Sequence, residues 1–507
     1  VTIGMTRGVT LDGLEGVVVD VEADVSPGLP SFTVTGLADA TVGEARDRIR
    51  AAASNAEVPL PARRLTVNLS PAWRPKAGSA FDLPMIVALL AATGALPPGV
   101  RDVVHLGELS LDGQIKAVRG VLPSVAAAVA AGHRRVIVPA ANLREASLVE
   151  GADVRGARSL RDVVAFHRGS RTLPEPTDVD DDAIAWAGPD LADVVGQREA
   201  RFALEVAAAG RHHVFFVGPP GAGKTMLAER LPGLLPALPT EQALEVTAIE
   251  SIMSLDAAPL GLRRRPPYRA MHHGATMAAM VGGGTGRPSP GAVTAAHRGV
   301  LFLDEGPEFQ THVLNALRQP LESGVVTVGR SKATVTFPAR FQLVLAANPC
   351  PCGRAVGKAL ACECTPLQRR NYFGKLSGPL LDRIDLQLTV PAVSRLELFD
   401  GASEATEQVA ARVAQARACA EERGGPAGWA VNSEVPSRAL REGPWCLPAT
   451  ARVSLDRALE RGALTLRGYD RVTRVAWTIA DLAGHHSPTR DDVDQALSLR
   501  GAAGVPA

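Results

Sequence analysis

The sequence predicts a multidomain α/β protein: an α+β N-terminal domain, a parallel-sheet core, and a C-terminal helical domain. Three observations predict it. Short β-branched strands alternate with helical stretches over the first ~170 residues. An apolar run, His213-Val214-Phe215-Phe216-Val217, leads into a Gly/Pro-rich turn and then a helix pattern from Met226, as a buried parallel strand does. The last ~110 residues carry helical periodicity and little strand signal.

At 507 residues the chain has room for about two to four domains. Its net charge of +1 announces no global preference for nucleic acid, so any such surface is local. Six lysines beside 48 arginines fit a GC-rich genome better than a function. No apolar run reaches the ~18 residues of a membrane span, and Val1-Thr2-Ile3-Gly4-Met5 does not open a signal peptide. Six cysteines in so long a chain make no secreted disulfide framework. The expected location is cytoplasmic, away from any membrane.

In the first domain, expected over 1–170, strands are read at Val17 to Val25, Leu65 to Leu69 and Arg135 to Pro139. Helices are read at Thr41 to Ala53, Leu83 to Ala92 and Leu122 to Ala131. Gly107 to Ile115 reads as a hairpin with Asp112-Gly113 at its turn. Residues 171–190 hold Pro174, Pro176, Pro189 and an acidic run through Asp182, the composition of an exposed linker.

The core is expected over 191–395. Gly218-Pro219-Pro220-Gly221-Ala222-Gly223-Lys224-Thr225 matches G-x-x-x-x-G-K-[ST] between strand and helix. Glycines let the backbone turn its N–H groups onto phosphate oxygens, and the helix N-terminus adds positive potential. Lys224 would neutralise the β- and γ-phosphates, and the Thr225 hydroxyl would hold Mg²⁺. Gly299 to Leu303 is an apolar strand ending in Asp304-Glu305. Asp304 is expected to help hold Mg²⁺ and Glu305 to polarise the attacking water. A third apolar strand, Phe341 to Ala347, ends at Asn348, whose amide can orient that water. Arg383 follows a loop at a helix end, where it reads either as an arginine finger reaching a neighbouring subunit's nucleotide or as a surface ion pair.

Cys350-Pro-Cys352 and Cys362-Glu-Cys364 place four thiols within fifteen residues, enough for tetrahedral Zn²⁺. Two disulfides, or inert free thiols, are the alternatives. Cys419 and Cys446 stand alone. His272 and His273 are adjacent, and neighbours on a helix or strand do not share a face, so hydrogen bonding in a core or interface is expected in place of a metal. Val325 to Val328 and Ala333 to Phe337 alternate like two strands around the basic tip Gly329-Arg330-Ser331-Lys332. Arg330 and Lys332 make the tip basic enough to meet phosphates, or it is an ordinary charged hairpin. In the helical domain, expected over 396–507, helices are read at Ser403 to Glu422, Ala451 to Arg461, Arg467 to Gly484 and Asp491 to Leu499, with Thr489 as an N-cap.

Two resemblances follow. Gly107-Glu108-Leu109-Ser110-Leu111-Asp112-Gly113, Ala131-Gly132-His133 and Val136 to Asn142 resemble the proteolytic domain of Lon-type proteases. The nucleophile position of that family falls on Ala80 and its lysine position on Leu122, and Ser79 is one residue off. Neither Ala80 nor Leu122 can do nucleophilic chemistry, so the expected activity is not proteolysis. Nearly the whole chain is similar to the Mg-chelatase-like AAA+ ATPases of the ComM/YifB type. That likeness rests on Gly36 to Asp39, Phe81 to Pro84, Val281 to Gly284, Arg318 to Glu322, Phe337 to Phe341 and Asn348 to Gly353. It departs at Met271-His272-His273-Gly274, where the family has Pro-His-His-Thr. The resemblance implies a Lon-like N-terminal domain, an AAA+ core and a helical lid. It also implies ATP with Mg²⁺, a homo-hexameric ring, and DNA translocation or branch migration. A protein-remodelling or metal-chelatase-type motor is the rival. The resemblance implies Arg467 as the second sensor arginine on the γ-phosphate, with Arg474 the runner-up; solvated charges are the alternative for Arg467, Arg471 and Arg474.

Overall fold

The computed structural model describes residues 3–36, 39–71, 76, 79–176, 186–254, 261–284, 288–330, 333–355, 361–395, 397 and 403–501. The chain is mixed α/β and forms two compact units. One is Val1–Ala183 with Pro239–Arg264, and the other is Ile184–Leu238 with Arg265–Ala507. The first therefore includes a segment from inside the stretch that sequence gives to the core. Among the described residues, no helix is long and apolar enough to cross a membrane.

The first unit is built on a seven-stranded mixed sheet. Its spatial order is Ser31–Thr35, Arg64–Ser70, Glu15–Ser26, Gly4–Asp12, Val104–His105, Arg135–Pro139, Asp153–Ala157. Helices Asp39–Asn55 and Asp82–Ala92 share a core with Val19, Val21, Leu65, Val67 and Leu69. Helix Val121–Ala130 covers Val9, Val104, Val136 and Val138. A Cβ on Gly4 would lie 2.0 Å from the Ala88 carbonyl oxygen, so only glycine lets the first strand approach helix Asp82–Ala92 so closely. Ala80 is part-buried in a short 3₁₀ turn, and Leu122 is 2% exposed in the core. Helix Thr240–Met253 completes this unit. The Gly120 amide donates to the Ser251 carbonyl at 2.9 Å, and Ser251 Oγ bonds Glu145.

The second unit holds a five-stranded, all-parallel sheet in the order Tyr268–Met271, Val300–Leu303, Gln342–Ala347, Val214–Val217, Leu386–Thr389. Strand residues alternate between two cores, as a period of two requires. Val214 and Phe216 meet helices Arg198–Gly210, Lys224–Leu234, Thr406–Gly424 and Leu466–Ala483. Phe215 and Val217 meet Phe309, Val313, Leu314 and the hairpin residues Val326, Val328, Val335 and Phe337. That hairpin pairs Val325–Arg330 with Ala333–Pro338. Ser331 and Lys332 lie outside the described residues, and Arg330 enters only through its backbone pairing with Ala333. Thr489 caps helix Arg490–Gly501, its Oγ accepting from the Asp492 amide at 3.3 Å.

Both units bury histidines that resist protonation. His167 beside His105 is pushed down to about 4 by burial and then by Arg135, and His105 lies well below its ordinary value for the same first reason. Burial also pushes His212 and His213 down to about 4, against the pull of Asp385. With folded values below the unfolded ~6.5, the unfolded chain takes up protons that the folded chain refuses as pH falls from ~6.5 towards 4. Stability is therefore expected to drop through that window, with Tm lower by about 5–10 °C at pH 5 than at pH 7. Calorimetry across that range checks it, and a constant Tm contradicts it.

Candidate active site

Parallel strands bring their C-terminal ends to one edge, so three neighbouring strands deliver their following residues to one place. Val214–Val217 delivers the phosphate loop, Val300–Leu303 delivers Asp304 and Glu305, and Gln342–Ala347 delivers Asn348. Gly221 and Gly223 adopt φ of +78° and +89°, the left-handed conformation that favours glycine. A Cβ on either would meet nothing within 4 Å, so the turn is open on that side. At Gly218, by contrast, a Cβ would lie 2.2 Å from the Val390 carbonyl oxygen. Pro219, Pro220 and Ala222 complete the loop, and Ala222 is buried.

Lys224 opens the following helix and is 7% exposed. Its Nζ donates to the Gly218 carbonyl at 2.6 Å, the Pro219 carbonyl at 3.0 Å and Asn348 Oδ1 at 3.1 Å. The three ammonium protons are thus matched by three neutral acceptors. Burial lowers the Lys224 pKa, while Asp304 and Glu305 raise it. A phosphate would supply the countercharge that this desolvated cation lacks within hydrogen-bonding reach. Thr225 Oγ1 donates to Asp304 Oδ2 at 3.1 Å, so the hydroxyl and carboxylate expected to share Mg²⁺ are already paired. The residues present fit ATP with Mg²⁺.

Glu305 is a non-glycine residue at φ +52°. Such a conformation costs on the order of 1–3 kcal/mol and is kept where surroundings demand it. Its carboxylate is half-exposed, and His273 Nδ1 stands 2.8 Å from Oε2. His273 thus makes a polar contact, but the argument that the two rings cannot share a face does not hold. The rings of His272 and His273 lie 3.9 Å apart, tilted by 38°, and with Glu305 form a group of ligand atoms within 4.8 Å of one another. The alternation argument failed because the strand ends at Met271 and the pair sits on the turn that follows. Gln197, at φ +49°, was not singled out in the sequence. Its side-chain amide donates to Ala222 O at 3.3 Å and Pro391 O at 2.5 Å, tying the phosphate loop to the chain beyond the edge strand. Nothing in its local pattern signals that reach.

The arginines gather elsewhere. Arg383 precedes strand Leu386–Thr389, whose register is Leu386 to Val214 and Thr389 to Val217. It therefore lies at the N-terminal edge of the sheet, opposite its own phosphate loop. There it is 8% exposed, bonded to Glu322 and the Pro379 carbonyl. Arg467, half-exposed, approaches the same Glu322 oxygen at 3.4 Å. Arg471 pairs with the buried Asp385 at 2.8 Å, which helps hold that carboxyl well below its ordinary range despite burial. Arg474 donates to the Val435 carbonyl at 2.9 Å. Neither of these two is a free surface charge. Glu322, Arg211, Arg340, Arg471 and Arg474 are among the residues lining a cavity of about 480 Å³ at this edge.

The four paired cysteines sit beside the loop. Cys350 is buried, Cys352 exposed, and all four are free thiols with their sulfurs within 4.8 Å of one another.

The family described as "Magnesium chelatase, subunit ChlI" matches residues 190–398, "Subunit ChlI of Mg-chelatase" matches 21–142, and "Magnesium chelatase, subunit ChlI C-terminal" matches 403–500. The chain is 50% identical to the uncharacterized protein Rv2897c of Mycobacterium tuberculosis, over 98% of both chains. It is 41% identical to the competence protein ComM of Haemophilus influenzae and 41% identical to the uncharacterized protein YifB of Escherichia coli. Each of these matches covers 96% of this chain and 95% of the other. The matched domains are those of an AAA+-type ATPase, and the chain belongs to the Mg-chelatase-like ComM/YifB family.

Proposed function

We propose that this chain is a ring-forming ATPase, read as a homo-hexamer, that couples ATP hydrolysis to translocation on DNA and branch migration. The observation that carries hydrolysis is the meeting of Lys224, Thr225, Asp304, Glu305 and Asn348 at three adjacent strand ends. When ATP binds, Lys224 exchanges its carbonyl acceptors for β- and γ-phosphate oxygens. Thr225 and Asp304 would hold Mg²⁺, which when bound would neutralise charge on the phosphates. Glu305 takes the proton of the attacking water, and Asn348 aligns that water.

The ring is supported by the position of Arg383 and Arg467. Both sit on Glu322 at the sheet edge opposite their own phosphate loop. A four-residue strand spans about 13 Å, too far for either to serve the nucleotide of its own chain. In a ring, that edge would meet a neighbour's nucleotide, and the phosphates would compete with Glu322 for both arginines. The domain layout proposed is a Lon-like N-terminal domain without its dyad, an AAA+ core, and a helical lid.

DNA as the substrate is supported by the hairpin Val325–Arg330 with Ala333–Pro338, whose tip sequence is Arg330-Ser331-Lys332. Six such tips would make a basic collar on a nearly neutral chain, suited to phosphates and not to bases. The test is the ATPase rate with and without single-stranded, duplex and forked DNA. Stimulation is expected, and equal rates with all three and with none would reject the reading. Arg330→Ala with Lys332→Ala should weaken DNA binding about tenfold near 0.1 M salt and flatten its salt dependence, with DNA-free ATPase unchanged. Wild-type binding and unwinding by the double variant at several salt concentrations would show that the hairpin is not the grip.

A further inference from the structure

We infer that Cys350, Cys352, Cys362 and Cys364 bind one zinc ion in a tetrahedral thiolate site, and that this site braces the phosphate loop of its own chain. The first half stands on geometry. The sulfurs of Cys350 and Cys352 are 3.3 Å apart, and each lies 3.7 Å from the sulfur of Cys362. A tetrahedron with Zn–S bonds of about 2.3 Å has edges of about 3.8 Å. Disulfide bonding needs about 2.05 Å, far inside any of these distances. Backbone N–H groups of Arg354 and Glu363 point at the Cys352 sulfur, and that of Cys364 at Cys362. Four soft ligands with no carboxylate or imidazole among them select zinc over the hard divalent ions.

The second half rests on where the cluster is fastened, and on the ATPase reading above. Asn348, two residues before Cys350, accepts from Lys224. Gly353 turns at φ +74°, and a Cβ there would lie 2.8 Å from two ring carbons of Pro220, inside the phosphate loop. On the far side, Thr365 caps helix Pro366–Gly374 in a capping box with Gln368. From that helix the buried Tyr372 hydroxyl accepts from the backbone N–H of Asn348. The cysteine turn is thus held between the sensor amide, the loop proline and a capped helix. A metal linking residues 350–352 to 362–364 would fix the Gly353 turn, and with it the wall against which Pro220 rests.

The experiment uses the full chain purified without chelator. Elemental analysis should find about one zinc per chain. Cobalt reconstitution should give intense red-region bands and near-ultraviolet thiolate-to-cobalt charge transfer. Stripping the metal should weaken binding of a fluorescent ATP analogue about tenfold, as expected when a preorganised site is loosened. Gly353→Ala, which keeps every thiol, should retain zinc yet lose a similar factor in affinity. A folded chain with no metal, or a weak octahedral cobalt spectrum, overturns the site. Unchanged nucleotide affinity, after stripping or in Gly353→Ala, overturns the brace. If the zinc-loaded wild type binds no ATP analogue, the ATPase reading fails while the metal count still decides the site.

Discussion

Glu305→Gln is expected to bind ATP with near wild-type affinity and to hydrolyse it about 10²–10⁴-fold more slowly. The substitution keeps the size and hydrogen-bonding shape of the side chain and removes only its capacity to accept a proton. Lys224, Thr225 and Asp304, the groups read as phosphate and Mg²⁺ ligands, are untouched, so binding should persist. The left-handed backbone at Glu305 is no better suited to glutamine than to glutamate, so the fold carries no new strain. ATP should accumulate on the assembled protein, visible as retained nucleotide after rapid desalting. Single-turnover rates measured beside equilibrium binding separate the two effects. Ordinary turnover in Glu305→Gln would remove this carboxylate from the chemistry.

Arg383→Ala is expected to lower ATP turnover about a thousandfold or more, the scale of an arginine that stabilises transferred-phosphoryl charge. The loss should be repaired in mixtures. Lys224→Ala subunits lack a working phosphate loop but keep Arg383, and Arg383→Ala subunits have the reverse defect. Mixed assemblies hold some interfaces with one sound loop and one sound arginine, so part of the activity should return. An arginine acting within its own chain could not be rescued this way. Removal of Arg383 also frees Glu322, which keeps Arg467 as a partner and is half-exposed. No buried charge is stranded, and a folding defect is not expected to mimic the result. Normal hydrolysis by an assembled Arg383→Ala ring would end the assignment.

What the sequence reveals here depends on how local the cause is. The phosphate loop is legible because glycine spacing, an apolar strand and a helix start all fall within about fifteen residues. Strand Gly4–Asp12 was not legible, because Thr6 and Thr10 are buried where apolar residues would be expected. Thr6 manages this through its hydroxyl, which bonds the Val100 and Val103 carbonyls and His105 from nearly a hundred residues away. The histidine pair misled for a different reason. Alternation holds only while a strand continues; here it stops at Met271, and both rings come to lie within 4.8 Å of the Glu305 carboxylate. Glu322 as shared partner of Arg383 and Arg467 had no local signature, since the three residues span about 145 positions. The four cysteines were legible as a group, but the contact of Gly353 with Pro220 needed coordinates.

Helix Thr240–Met253 has a loyalty that chain order hides. It begins a few residues after the phosphate-loop helix ends, yet it belongs to the unit formed by the first 183 residues, with Ala243, Val246 and Ile249 buried. A truncation at the proline-rich linker would therefore not be a clean excision. It would leave the remaining chain carrying a helix whose Ser251 has lost both Glu145 and the Gly120 amide. Shortened forms of this protein would misbehave through that stranded helix before any loss of chemistry could be read. Removing residues 1–183 without also excising 239–264 compares an intact molecule with one that keeps a fragment of the missing unit.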